Sequence, residues 1–174
     1  MTRIHSIAYI VCDWSSTIHM YTADTLSPLG ERIHVEGMTE PCDIVACRHD
    51  RQLYIADWKS CIWRVSADDH TYVKWLTTKS TVDTFSVYML SLTSRRLLVT
   101  SRQPAGLHQY STTDRQLLRV VPLPGYVEAM GNAVETTRQT FVISYQGTSQ
   151  DKKQFMVSEL FLFMSVGYTF KAGG

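Results

Sequence analysis

Four apolar segments stand 44 residues apart along this chain of 174 residues: YIVCDW from Tyr9, LYIADW from Leu53, LLVTSR from Leu97 and FVISYQ from Phe141. The first two copies extend furthest. Asp13-Trp14 matches Asp57-Trp58, Ser16 matches Ser60, Ile18 matches Ile62, and Ala23-Asp24 matches Ala67-Asp68. A fixed period of this length constrains the fold more than composition does, because each repeat is one unit of structure that buries its faces only against its neighbours.

What fills one period reads as short strands. After each of the first three marker segments comes TIHMYTAD, CIWRVSAD or, with one inserted residue, GLHQYSTTD. A third segment follows as ERIHVEG, YVKWLTT and QLLRVVPLPG, and a further one precedes the inner markers as CDIVAC, SVYMLSL and YVEAMGNAV. They are β-branched or aromatic and bounded by Gly, Pro, Thr or Asp. No run of 10 to 12 residues carries the spacing of an amphipathic helix with caps. Four strands per period of 40 to 45 residues is the signature of a β-propeller blade. The sequence therefore predicts an all-β, single-domain chain over residues 1–174, with four-stranded antiparallel blades at approximately 1–40, 41–84, 85–125 and 126–170.

Composition excludes little but removes some classes. Hydrophobic residues make up 44% and charged residues 19%, an ordinary globular balance. A net charge of +1 with dispersed Lys and Arg gives no dominant footprint for nucleic acid or an anionic membrane. No signal peptide is read at the N-terminus, and the longest apolar run, Leu160 to Phe170, is too short for a spanning helix. A soluble, cytoplasmic chain with no membrane partner is the expectation. Cys12, Cys42, Cys47 and Cys61 have no C-x-x-C spacing and are expected as reduced, buried thiols.

The stretch PCDIVACRHDRQLYIADWKSCIWRV, residues 41–65, resembles an NHL-type repeat: a Pro opening the inner strand, a polar turn, a Tyr-Ile-Ala-Asp strand, another polar turn and an Ile-x-x-Val strand. Residues 9–38 match less closely, and Ser101 and Tyr145 stand where Asp13 and Asp57 stand. The resemblance implies a six-bladed propeller of the kind found in tripartite-motif ubiquitin ligases, in lyases of amidated peptides and, more distantly, in gluconolactonase-like enzymes. It carries a fold and no activity. Alignment to the period gives about 15 strands in four blades, with the innermost strand of the first unit missing. That points to an arc cut from a larger ring, in preference to an imperfectly closed four-bladed ring, and the terminal blades of an arc would leave apolar faces open to self-association. The last residues, FLFMSVGYTFKAGG, fit the repeat poorly.

In such a meander the connections alternate between two ends of the blade. One end gathers DWSST, DWKSC, SRQPAG and YQGTSQDKK with the links between blades, and it carries Trp14, Trp58, Lys59, Arg102, Tyr145, Lys152 and Lys153. Trp, Arg and Tyr suit stacking and contact with a partner, so Trp14, Trp58, Lys59, Arg102 and Tyr145 are the candidate binding residues. At their repeated position Trp14 and Trp58 are nevertheless expected to pack between blades. Asp13 and Asp57 are expected to cap the turn that follows each. The opposite end carries Arg48, Arg51, Arg95, Arg96 and Arg138, a basic strip or a set of solvated turns.

His5, His19, His34, His49, His70 and His108 show no metal-ligand pairing, and no phosphate loop or nucleophile elbow is present. No catalytic residue, metal or cofactor is predicted. The leading expectation is a non-catalytic interaction module presenting its loop end to a protein, a peptide or RNA. A metal-dependent propeller hydrolase or lyase using Asp43 or Asp57 around an axial ion is one alternative, and a fragment without independent function is the other.

Overall fold

The computed structural model describes residues 1–58, 61–77, 86–102, 105–136, 140–149 and 152–161, and all regular structure among them is β. The first sheet is β1 (Thr2–Ile4), β2 (Ile7–Val11), β3 (Thr17–Thr22) and β4 (Pro28–His34). The second is β5 (Pro41–Cys47), β6 (Gln52–Asp57), β7 (Cys61–Ser66) and β8 (Tyr72–Thr77). β9 (Val87–Thr93), β10 (Arg96–Ser101), β11 (Gly106–Ser111) and β12 (Leu117–Val120) form the third, and β13 (Val127–Glu135), β14 (Thr140–Ser149) and β15 (Lys152–Phe161) the last. Each sheet is an antiparallel meander in sequence order, three of four strands and one of three.

Two strand expectations change. The first blade has its innermost strand, β1, but only as three residues where β5 and β9 have seven. The stretch from Tyr145, expected as a loop, continues β14 as far as Ser149, where it pairs with Lys152 of β15. Its β-branched and aromatic start, Phe-Val-Ile-Ser-Tyr, propagates pairing into Gln-Gly-Thr-Ser, residues that alone would read as a turn. Among the described residues no helix is long and apolar enough to cross a membrane.

The second strand of each blade explains why these sequences are apolar on both faces. In β6, Leu53 and Ile55 pack against the first blade with Ile4, Tyr9, Ile18 and Ile33. Tyr54 and Ala56 point the other way, joining Leu90, Leu97, Val99 and Trp75. β10 repeats the division: Leu97 and Val99 face the second blade, and Leu98 faces Val127, Ala133, Phe141 and Ile143 of the fourth. This is the two-residue period of a strand buried on both sides. Each fully buried aliphatic side chain contributes on the order of 1.5–3 kcal/mol. Blades pack in series, β1 and β2 on β5, β5 and β6 on β9, and β9, β10 and β11 on β13. Among the described residues no comparable packing joins the first blade to the fourth, so the blades form an open arc.

Hairpins at one end of the arc repeat their geometry without glycine. His5, Arg51 and Ser94 in the turns between first and second strands have positive φ, as do Leu26, His70 and Arg115 in the turns between third and fourth. Ala23, Ala67 and Thr112, at equivalent positions, donate their N–H to Ser6, Arg51 and Arg95 carbonyls. The Ala-Asp of the repeat thus ties the two hairpins of one blade together, and Asp68 forms an ion pair with Arg51.

The four cysteines are free. Cys47 and Cys61 are buried as expected, Cys42 is half-buried, and Cys12 is exposed because it opens the turn after β2, where no neighbouring blade covers it.

Candidate functional site

At the other end of the arc, the upper ends of the inner strands converge on two adjoining cavities. The first, about 300 Å³, is lined by Asp13, Trp14, Glu40, Cys42, Trp58, Tyr88, Met89 and Arg102. The second, about 310 Å³, shares Tyr88, Met89 and Arg102 and adds Ala129, Met130, Gly131, Asn132, Ser144, Tyr145 and Gln146. All four blades therefore contribute. Arg102 is the partition, and its guanidinium lies over the Tyr88 ring, 5.5 Å from the centroid.

Of the residues singled out from sequence, Trp14, Trp58 and Arg102 line the first cavity, and Arg102 and Tyr145 the second. Lys59 lies outside the described residues. The expected packing of Trp14 between blades is corrected: the residue is 77% exposed. The Ser15 N–H bonds the Cys12 carbonyl at 3.2 Å, closing a four-residue turn whose third residue is Trp14, at φ +61°. Gly or Asn is the usual occupant there. A bulky residue in this conformation costs roughly 1–2 kcal/mol, and exposure returns little of it. Trp58 is half-buried, and its N–H reaches the Glu40 carbonyl at 2.9 Å.

The two aspartates of the repeat also part ways. Asp13 is exposed at the cavity wall. Asp57 is fully buried. It points with Leu53 and Ile55 toward the first blade and accepts bonds from the Thr39 N–H at 3.2 Å, the Thr39 hydroxyl at 3.3 Å, the Glu40 N–H at 2.7 Å and the Trp63 indole N–H at 3.0 Å. Asp57 is a clasp on the link between the first two blades.

Asp43 has a parallel role one interface on. Its Oδ1 accepts the Ile44 N–H and its Oδ2 the Leu90 N–H, each at 2.8 Å, joining β5 to β9. Burial pushes its carboxyl above the ordinary carboxylate value, and those two N–H groups pull it partly back. Both carboxylates proposed for an axial ion thus have their oxygens engaged by protein donors. Among the described residues no group of three or more His, Cys, Asp or Glu side chains is placed to hold a metal ion. Cys42 in the cavity wall is no ready nucleophile, since burial, and secondarily the Asp43 carboxylate, pushes its thiol up to about 12. The thiol donates to the Tyr88 carbonyl at 3.0 Å.

The basic strip at the opposite end is partly neutralised. Arg51 pairs with Asp68, and Arg96 lies 3.5 Å from Glu135. Arg95 contacts the His49 ring at 3.2 Å, Arg48 is exposed, and Arg138 lies outside the described residues.

Cavity residues that sequence reasoning did not single out include Glu40, Tyr88, Met89, Asn132 and Ser144. A signal existed but was displaced: Ile44 and Leu90 pair with Ile55 and Val99, so the inner strands of the second and third blades are offset by 46 residues while the second strands keep 44. The first hairpin absorbs the difference, with four residues between Cys47 and Gln52 in the second blade but two between Thr93 and Arg96 in the third.

No family model matches the chain, and no curated protein matches it. Solved structures do. Hydrazine synthase of Kuenenia stuttgartiensis superposes with a TM-score of 0.66 at 12% identity, over 86% of this chain and 44% of that one. The WD40 repeats of RRP9 give 0.61 at 12% identity, over 86% and 47%, and the WD40 β-propeller domain of Doa1 gives 0.61 at 13%, over 87% and 51%. The chain spans about half the length of each of these proteins. At such identities the likeness is one of fold: this chain is a β-propeller arc.

Proposed function

We propose that the arc is an interaction module that receives a segment of a protein or peptide partner along the paired cavities. The carrying observation is Trp14, a bulky aromatic side chain held exposed, at positive φ, on the rim of a cavity it shares with Trp58, Tyr88 and Arg102. Strain of this kind persists where the surroundings over-determine it, and it clusters at functional positions. Trp, Tyr and Arg are the residues that dominate contact energies. The NHL-like pattern of residues 41–65 supports the same reading, as a propeller blade presenting its loop end.

The test is selection of ligands from a random heptapeptide library and from a pool of single-stranded oligoribonucleotides, with Trp14→Gly as counter-target. Glycine relieves the positive φ, so the variant is expected to melt no lower than the parent while losing at least tenfold in affinity. Peptides retained equally by both proteins, or enrichment of RNA alone, would overturn the reading.

A further inference from the structure

The wall of the second chamber contains a bulge. Met130 pairs with Tyr145 and Ala133 with Ile143, so Gly131 and Asn132 together stand opposite Ser144. The Asn132 N–H donates to the Ser144 hydroxyl at 2.7 Å, that hydroxyl reaches the Asn132 carbonyl at 3.3 Å, and the Thr100 hydroxyl donates to the Gly131 carbonyl at 2.8 Å. Glycine is needed at 131, because a Cβ there would lie 2.6 Å from the Ser144 hydroxyl oxygen. The bulge also decides how Asn132, an exposed residue of the cavity wall, presents its amide. Its Oδ1 accepts the Ala133 N–H at 2.8 Å, which leaves Nδ2 as the outward donor.

Arg102 brings a charge to the same chamber. Arg3, Arg51, Arg96 and Arg119 are ion-paired, whereas the exposed Arg102 is held over the Tyr88 ring, and among the described residues no carboxylate pairs with it. A contact with a ring face leaves guanidinium N–H groups available to an oxygen acceptor. Gln146, half-buried, adds a second amide.

We infer that the second chamber is a subsite for a carboxylate, the side chain of a glutamate or aspartate in the partner segment, received by the Arg102 guanidinium and the amide donors of Asn132 and Gln146. The inference rests on the interaction reading and narrows it. A guanidinium fork matches the two oxygens of a planar carboxylate, and its charge-assisted bonds are stronger than those between neutral groups. Tyr88, Met89 and Met130 supply apolar surface for the stem of the side chain. A volume of about 310 Å³ accommodates one side chain but not a folded element. One guanidinium flanked by neutral amides suits a single negative charge better than a phosphate group, which carries close to two.

The experiment uses the full chain and fluorescein-labelled, C-terminally amidated heptapeptides of Gly-Ala-Leu background whose central residue is glutamate, glutamine, phosphoserine or lysine, read by fluorescence anisotropy. Glutamate is expected to bind about tenfold tighter than glutamine, its neutral isostere. Arg102→Gln, at an exposed position, is expected to abolish that margin while leaving glutamine affinity and the melting temperature unchanged. Asn132→Asp keeps the Oδ1 acceptor for the Ala133 N–H but replaces the Nδ2 donor with a carboxylate oxygen, so it should likewise weaken glutamate alone. Equal binding of glutamate and glutamine, or a preference for phosphoserine or lysine, overturns the carboxylate subsite. So does a glutamine peptide that regains the full margin when its C-terminus is left as a free carboxylate, since the chain end would then be the ligand. If binding in any of these cases is lost in Trp14→Gly, the interaction reading survives without this subsite. Binding of none of the peptides at millimolar concentration, whether or not a labelled oligoribonucleotide is captured, overturns both.

Discussion

Asp13 and Asp57 match in the sequence repeat but not in the fold, since Asp57 ends β6 as a buried clasp while β2 stops at Val11 and leaves Asp13 in the turn beyond it, a rim carboxylate. Asp57 holds two backbone N–H groups, a hydroxyl and an indole N–H. Removing it strands buried donors, so Asp57→Ala is expected to cost about 3 kcal/mol in a urea titration. Asp13→Ala should change stability by no more than about 0.5 kcal/mol, as exposed substitutions do. Thiol chemistry divides the cysteines in the same way. With its thiol pushed up to about 12, Cys42 presents roughly one thiolate in ten thousand at pH 8, so alkylation followed by mass spectrometry should label Cys12 first and leave Cys42 largely unmodified. Both Cys42 and Tyr54, each raised to about 12, hold their protons more tightly folded than unfolded. Their contribution is complete below the ordinary values of 9.0 and 10.0 and is lost as pH climbs through about 12. Circular dichroism against pH should show alkaline unfolding in that window, delayed in Tyr54→Phe.

Between elements, the blades are joined by apolar packing and by a small number of polar ties that cross from one sheet to the next. The densest is on the third and fourth blades. Glu135, nearly buried, receives the Arg119 guanidinium at 3.1 Å, the Arg96 guanidinium at 3.5 Å and the Gln109 amide at 2.9 Å, and Arg119 also lies 5.0 Å over the Phe141 ring. Because Arg96 and Arg119 keep access to water, Glu135→Gln should cost roughly 1–2 kcal/mol rather than the larger penalty of a sealed ion pair, with the loss concentrated in hydrogen-exchange protection of β13 and β14. None of this clasp was legible in the sequence. Arg96, Gln109, Arg119 and Glu135 come from four strands, and strand propensity does not say which distant side chains meet. What the sequence did show at this scale was the strand alternation and the fixed spacing of Leu53, Leu97 and Phe141, since those follow from burial on both faces.

For the whole molecule the period carried the architecture, and the residues of the loop end that it grouped, Trp14, Trp58, Arg102 and Tyr145, do meet at adjoining cavities. Their individual postures were beyond it. Trp14 stands out from the blades because backbone strain in its turn, rather than apolar pairing, sets its direction. Serial packing has its own consequence for stability: among the described residues the second and third blades have neighbours on both sides, the first and fourth on one. Amide exchange is therefore expected to be slowest in β6 and β10 and faster in β2 and β14, a gradient that uniform protection would contradict. The alternation within β6 and β10 also fixes which length changes the fold tolerates. A single residue inserted inside either strand would swap every side chain beyond it between the two interfaces, sending Tyr54-type residues where Ile55-type residues belong. A two-residue insertion would preserve the assignment. Since 44 is even, Leu53, Leu97 and Phe141 all turn to the preceding blade, while Tyr9, turned to the following one, marks a one-residue slip in β2; the arc behaves as a text whose reading frame has two letters.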